Sequence, residues 1–181
     1  MTTDDKWGPL IGQMILLKQQ IAETGAIPTF RYTLPRVAAR EEEIAAAEAR
    51  LGAPLDPGYR TFLTYANGWD AFDVSLRLFG TEDFGQGDAW RLGESYVDTF
   101  CSFPENAQYP PTALLPIAVA LEDKDLLCAV TAPHEEAGRI LWIAGEIVDM
   151  FDTFEEYFAS MIEYHKEDLQ EARSSAGNSP T

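Results

Sequence analysis

The residue types that could do chemistry are few in this chain, and none of them falls into a catalytic pattern. His134 lies beside Pro133 in an expected surface loop, and His165 lies near the end of an expected helix. Neither has a cysteine or serine at a spacing typical of nucleophilic catalysis. Cys101 and Cys128, which we expect to be reduced, form no zinc-ligand spacing with these histidines. The sequence therefore predicts neither an enzyme nor a zinc site.

Three carboxylates crowd one turn and could in principle hold a hard cation. Glu122, Asp123 and Asp125 have the oxygen ligands that calcium and magnesium prefer. A calcium-binding loop, however, needs glycine at its sixth position and glutamate at its twelfth. Counted from Glu122, those positions hold Leu127 and Pro133. We therefore interpret the segment as a solvated hairpin turn, and we expect no metal and no cofactor.

Length, composition and charge limit the class of protein. The 181 residues suit one domain, and an apolar content of 46% is enough for a buried core. The formal net charge is −17, and all of the negative excess lies after residue 40, since residues 41–181 hold eight Lys or Arg against 27 Asp or Glu. Such a field repels phosphate backbones and anionic lipid, so we expect neither nucleic acid nor a membrane surface as a partner. Basic proteins are favoured, and solubility alone is the other explanation of the charge.

The first residues give an expectation about location. The start, MTTDDKW, lacks the basic residues of a secretory signal. The apolar run over residues 10–17 is interrupted by Gln13 and is too short to span a bilayer. We therefore expect a cytoplasmic protein.

The positioning elements are clearest over residues 40–69, REEEIAAAEARLGAPLDPGYRTFLTYANGW. The spacing predicts two short amphipathic helices joined by a corner. Gly52 follows the last apolar residue of the first helix, where a left-handed glycine commonly ends a helix. Asp56 and Pro57 suit the N-cap and first position of the second helix, and Asn67-Gly68 ends it. These residues build a structure and carry no chemistry.

This stretch resembles the SUKH superfamily, the Smi/Knr-like domains. The residues that carry the resemblance are Glu42, Glu43, Ile44, Glu48, Leu51, Gly52, Leu55, Tyr59, Phe62, Leu63, Asn67 and Gly68. The chain departs from the pattern at Ala39-Arg40, where such sequences tend to carry a Ser or Thr cap. Because many domains of this superfamily are immunity proteins that neutralise a toxin, often a nuclease, the resemblance implies a binding role.

Pattern and resemblance together predict one α+β domain over residues 1–170, with its signature core at 40–163 and a disordered tail at 171–181. We expect an antiparallel sheet of about five or six strands. Four main helices are predicted at 7–23, 41–51, 57–66 and 154–170, with a shorter one at 88–100. Strand patterns occur at 72–78, 114–121, 126–130, 139–144 and 147–151.

A partner-binding surface is predicted in the segment after the second signature helix. This segment combines loop character, acidic charge and aromatic residues, a combination suited to interfaces. The candidate residues are Asp70, Asp73, Glu82, Asp83, Asp88 and Glu94, with Trp90 as an apolar anchor. The alternative is that these carboxylates only solvate a long loop. Trp69 is better explained as a residue that caps the pair of signature helices, and Trp142 as a core residue.

Two functions from different classes remain open at this point. The first is an intracellular immunity protein that neutralises a cognate polymorphic toxin, such as a nuclease, through an acidic surface. The second is a general interaction or regulatory module of the same fold with no toxin partner. The signature residues are those that build the fold, so they do not separate the two.

Overall fold

The α+β prediction is confirmed by a computed structural model, which describes residues 6–177 and the side chains of 6–175. Within this range the chain forms a six-stranded antiparallel sheet in which the strand order follows the chain. The helices are α1 (Trp7–Thr24), α2 (Glu41–Leu51), α3 (Pro57–Leu63), α4 (Gly87–Cys101) and α5 (Phe154–Gly177). The strands are β1 (Trp69–Asp73), β2 (Leu76–Leu78), β3 (Leu114–Ala120), β4 (Leu126–Val130), β5 (Ile140–Ile143) and β6 (Ile147–Phe151).

Both faces of the sheet are covered by helices. Successive side chains of a strand point to opposite faces, and β4 is buried along its whole length. Leu127 and Ala129 join the main core with residues of α1, α3 and α5. Leu126 and Cys128 belong to a second apolar cluster that includes Val97 of α4. The sheet is therefore the middle layer, with α4 on one side and the other long helices on the opposite side.

The signature residues of α3 connect these layers. The Phe62 ring lies 5.4 Å from the Trp7 ring of α1, measured between centroids. The buried Tyr59 hydroxyl lies 2.7 Å from the Phe79 carbonyl oxygen and 3.0 Å from that of Ile117. Because these carbonyls belong to the segments that form the β2–β3 region, one hydroxyl joins α3 to the sheet. The resemblance thus rests on residues that hold the fold together.

The structure corrects one detail of the strand prediction. The segment 72–78 was expected to be one strand, but it contains the turn of a tight hairpin between β1 and β2. Val74 has a φ of 43° at this turn, which an alternating pattern does not reveal. Pro116 lies within β3, which pairs with β2 on one side and β4 on the other, although proline in a sheet is usually found at a strand start or on an edge strand. A register shift next to Pro116 accommodates the missing N–H donor.

The last helix is longer than the sequence predicts. It continues to Gly177, so 171–177 are helical where a disordered tail was expected. Ala172 is buried, and Arg173 Nη2 lies 3.4 Å from Gln20 Oε1 of α1. These contacts give the extra turns a neighbour on which to pack. The remainder of the expected tail, 178–181, lies outside the described residues.

Gly52 has the left-handed backbone conformation that the sequence predicts, with a φ of 67°. A Cβ atom built at this position would meet no atom within 4 Å, so any effect of substitution comes from the backbone alone. We expect Gly52→Val to lower the free energy of unfolding by about 1 kcal/mol, because β-branched residues tolerate this conformation poorly. Gly52→Asn is the control, since asparagine adopts it more readily. Equal urea midpoints for the two variants would contradict this account.

Candidate functional site

The structure distributes the predicted acidic surface over three different environments. The residues in question are Asp70, Asp73, Glu82, Asp83, Asp88, Trp90 and Glu94. One group is paired with arginines beside the β1–β2 hairpin, one residue belongs to a buried polar cluster, and the others lie on α4. A single continuous acidic patch with an exposed tryptophan is therefore not what the chain builds.

The first environment is an ion-pair network centred on Asp83, whose side chain is only 9% exposed. Its Oδ1 atom accepts a hydrogen bond from Arg77 Nη2 at 2.6 Å, and its Oδ2 atom accepts one from the Gly80 N–H at 2.8 Å. Arg36 Nη2 lies 3.3 Å from the same Oδ2 atom, and Arg36 Nη1 pairs with Glu82. Asp83 is thus a structural carboxylate, and it does not face a partner as predicted.

Asp70 completes this network at its exposed rim. Its Oδ1 atom lies 3.5 Å from Arg36 Nη2 and 3.3 Å from Arg77 Nε. The side chains of Asp70 and Glu82 remain more than half exposed. They are accessible to a partner, but two cations reduce the negative field that they present.

The second environment is a buried cluster that contains Asp73, Lys18 and His165. Lys18 Nζ donates hydrogen bonds to the carbonyl oxygens of Ala71 at 2.7 Å and Phe72 at 3.0 Å. The register shift in β1 and the positive φ of Ala71 (48°) turn these carbonyls toward α1. A lysine from the first helix therefore fixes the irregular part of β1.

Burial controls the ionisation of this cluster. Desolvation lowers the pKa of Lys18 to about 8, against an opposing effect of the Asp73 charge. Burial also lowers the pKa of His165 and raises that of Asp73. His165 Nε2 lies 3.8 Å from Asp73 Oδ1, and the ring is fully buried, with its Nδ1 atom 2.8 Å from the Met161 carbonyl oxygen. Asp73 is only partly exposed, with 29% of its side chain accessible, and its nearest charged neighbours are groups of this cluster.

The Lys18 pKa gives a stability prediction with a definite sign. The unfolded chain keeps the ordinary lysine pKa near 10.5, whereas the folded value is about 8. Between these values the unfolded state binds more protons, so stability rises with pH. We expect a gain on the order of 1–2 kcal/mol from about pH 7 to about pH 9.5 that Lys18→Met abolishes. Urea unfolding of both proteins at the two pH values measures it, and parallel profiles would show that Lys18 does not titrate in this way.

The third environment is α4, which carries Asp88, Trp90 and Glu94. Trp90 is 8% exposed, and its ring lies 6.3 Å from those of Phe79 and Phe84. The structure therefore corrects the expected exposed anchor: Trp90 is a core residue that also contributes to the lining of a groove beside α4. Its spacing from Gly93 and Val97, both buried on α4, was the available signal for a core-facing helix stripe. Asp88 and Glu94 are both exposed, and Asp88 is paired with Arg91.

A groove of about 930 Å³ lies beside α4, a feature that the sequence did not reveal. Its walls come from the α2–α3 corner (51–57), from α4, from the segment that enters β3, and from the ends of β4 and the following loop. Apolar side chains and prolines predominate among its residues. The carboxylates of Asp56, Glu94 and Asp98 lie among them, and the lining has no Lys, Arg or His.

A scan of family models matches residues 38–160 to the SMI1 / KNR4 family (SUKH-1), which is well over half of the chain. The chain belongs to this family. Domains of the SMI1/KNR4 family have an immunity-protein-like fold. A search among curated proteins found no match. The family match starts after α1, although α1 supplies Lys18 and packs along α5.

The remaining candidates for chemistry in this SMI1/KNR4 domain are engaged in structural contacts. His134 stacks on the Tyr109 ring at 5.2 Å, and its Nε2 atom lies 2.9 Å from the Gln108 carbonyl oxygen. Cys101 and Cys128 are free thiols, and burial raises the pKa of both. Across residues 6–177, no group of three or more His, Cys, Asp or Glu residues is arranged to hold a metal ion. Nor does any helix in this range have the length and apolar character needed to cross a membrane.

Proposed function

We propose that this chain is an immunity protein that binds a cognate toxin inside the cell and neutralises it by direct contact. Membership of the SMI1/KNR4 family, whose domains have an immunity-protein-like fold, is the observation that carries the proposal. The protein acts by occupying a surface of its partner and performs no reaction on it.

The charge of the chain supports a basic partner. The net charge is −17, and exposed carboxylates occur at Asp70, Glu82, Asp88 and Glu94. A nuclease toxin carries positive charge where it meets nucleic acid, so an acidic inhibitor covers that surface and is steered toward it. Asp73, Asp83 and Trp90 are not part of this proposed surface, because they serve the ion-pair network and the core.

The test is protection from a toxin domain encoded beside this chain. The C-terminal domain of the neighbouring toxin gene is expressed from a repressible promoter, with and without this chain. We expect co-expression to restore growth and the purified pair to form a stable complex. Continued toxicity in the presence of folded, expressed chain contradicts the proposal, as does a genome in which no toxin gene is adjacent. Either result favours the general interaction module.

The acidic surface is tested on the same pair by measuring association rates. We expect Asp70→Asn, Glu82→Gln, Asp88→Asn and Glu94→Gln together to slow association and flatten its dependence on salt, because exposed charges act mainly through the encounter rate. The matched control neutralises four exposed carboxylates elsewhere, namely Glu146, Asp152, Glu167 and Glu171. If association slows equally in both variants, the effect comes from overall charge, and this surface is not the binding surface.

A further inference from the structure

We propose that the groove beside α4 binds an apolar segment of the toxin that carries a lysine or arginine. This inference rests on the proposed function and names the part of the partner that the protein recognises. Three features of the groove support it: its shape, the carboxylates of its lining, and a lining without lysine, arginine or histidine.

The groove has the size and rigidity of a preformed binding site. Its volume of about 930 Å³ lies at the upper end of the range of roughly 300–1,000 Å³ that is usual for ligand pockets. Four prolines contribute to the lining, namely Pro54, Pro57, Pro111 and Pro116. Their fixed φ angles reduce the freedom that the walls lose when a partner binds. Leu115 and the exposed Ala53 add apolar surface.

The charges of the lining have one sign. Glu94 and Asp98 stand four residues apart on α4, so they project from the same side of the helix. Neither forms a salt bridge with any residue of the described range, in contrast to Asp70 and Glu82. Asp56 is 9% exposed, and burial raises its pKa even though it accepts a hydrogen bond from the Tyr59 N–H at 2.9 Å. A basic side chain in the groove would meet a lining whose charged groups are all carboxylates.

The apolar walls and the carboxylates, without a cation in the lining, together indicate which kind of segment fits the groove. An acidic or phosphorylated segment would be repelled by the three carboxylates. A second copy of this chain would bring another net charge of −17 to an acidic groove, which disfavours self-association. A segment with apolar side chains and a lysine or arginine can pack against the apolar walls and pair its cation with the carboxylates of the lining.

The experiment measures the Kd of the complex with the toxin domain encoded beside this chain. We expect Glu94→Lys with Asp98→Lys to raise the Kd at least tenfold. The matched control, Glu146→Lys with Glu171→Lys, makes the same change in net charge at exposed residues that do not line the groove. We expect the control to weaken binding much less. Equal effects of the two variants would overturn the groove as the binding site.

A second pair of variants tests the shape of the groove without changing charge. Ala53→Trp places a large side chain in the groove wall, whereas Ala45→Trp places one on the exposed side of α2. We expect only Ala53→Trp to raise the Kd, with both variants retaining the melting temperature of the parent. Unchanged binding by a folded Ala53→Trp variant contradicts the inference.

These outcomes separate the inference from the function on which it rests. A parent chain that binds the toxin domain, together with groove variants that bind equally well, contradicts the groove alone. A parent chain that does not bind the toxin domain contradicts the proposed function, and the groove inference falls with it.

Discussion

Gly68→Ala is expected to lower the free energy of unfolding by about 3 kcal/mol or more, through steric overlap together with backbone strain. A Cβ atom at this position would lie 2.6 Å from the Gly80 backbone nitrogen and 2.8 Å from the Leu78 carbonyl oxygen. Both neighbours are backbone atoms, which cannot rotate away as a side chain does. The φ of 84° adds the cost of a left-handed alanine.

The control for this variant is Gly145→Ala. Gly145 has the same φ of 84°, but a Cβ atom there would meet no atom within 4 Å. We expect this control to lose only about 1 kcal/mol, the cost of the backbone conformation alone. Chemical denaturation of the two variants isolates the steric part as a difference. If both lose the same stability, the close approach between Gly68 and Gly80 is not the cause.

Asp83→Asn is expected to lower the free energy of unfolding by about 2–4 kcal/mol, because it removes the charge that two arginines share in a partly buried network. The amide group of asparagine keeps an acceptor for the Gly80 N–H, so the loss reports the ion pairs with Arg36 and Arg77. The buried Nε atom of Arg36 has no hydrogen-bond partner among the described residues, which makes the network sensitive to any further loss.

Asp88→Asn is the matched control. The Asp88 side chain is 98% exposed, and its pairing with Arg91 lies on the surface of α4. Exposed ion pairs contribute little, so we expect a change within about 0.5 kcal/mol. Thermal unfolding of both variants tests the contrast. A parent-like melting temperature for Asp83→Asn would show that the Asp83 carboxylate is not needed for stability, and would contradict its structural role.

Those elements whose determinants are close in sequence could be predicted. The two signature helices are examples, because the Gly52 C-cap and the Asp56 N-cap act within a few residues of the helix ends. The β1–β2 hairpin could not be predicted in this way. Its irregular backbone is held by Lys18, which lies 53 residues before Ala71. An alternating pattern carries no information about such a distant partner.

The candidate site was harder to predict for a related reason. Composition gives the number of carboxylates but not which of them face arginines. Asp83 and Glu94 look alike in the sequence, yet the first is buried between Arg36 and Arg77 and the second faces an open groove. The groove itself is formed by segments from 51–57, 90–98, 111–116 and 130–138. Only the folded topology brings these segments together.

The packing of α1 on α5 has a consequence for how the protein is made. Each strand pairs with its predecessor in the chain, so the sheet can assemble from successive hairpins as synthesis proceeds. The apolar stripe of α1, in contrast, packs on α5, which lies at the far end of the described chain. Until α5 has formed, Trp7 lacks its ring contacts with Phe154 and Phe158, and chaperones can bind the uncovered stripe. We expect the docking of α1 on α5, and not sheet formation, to be the last step of folding.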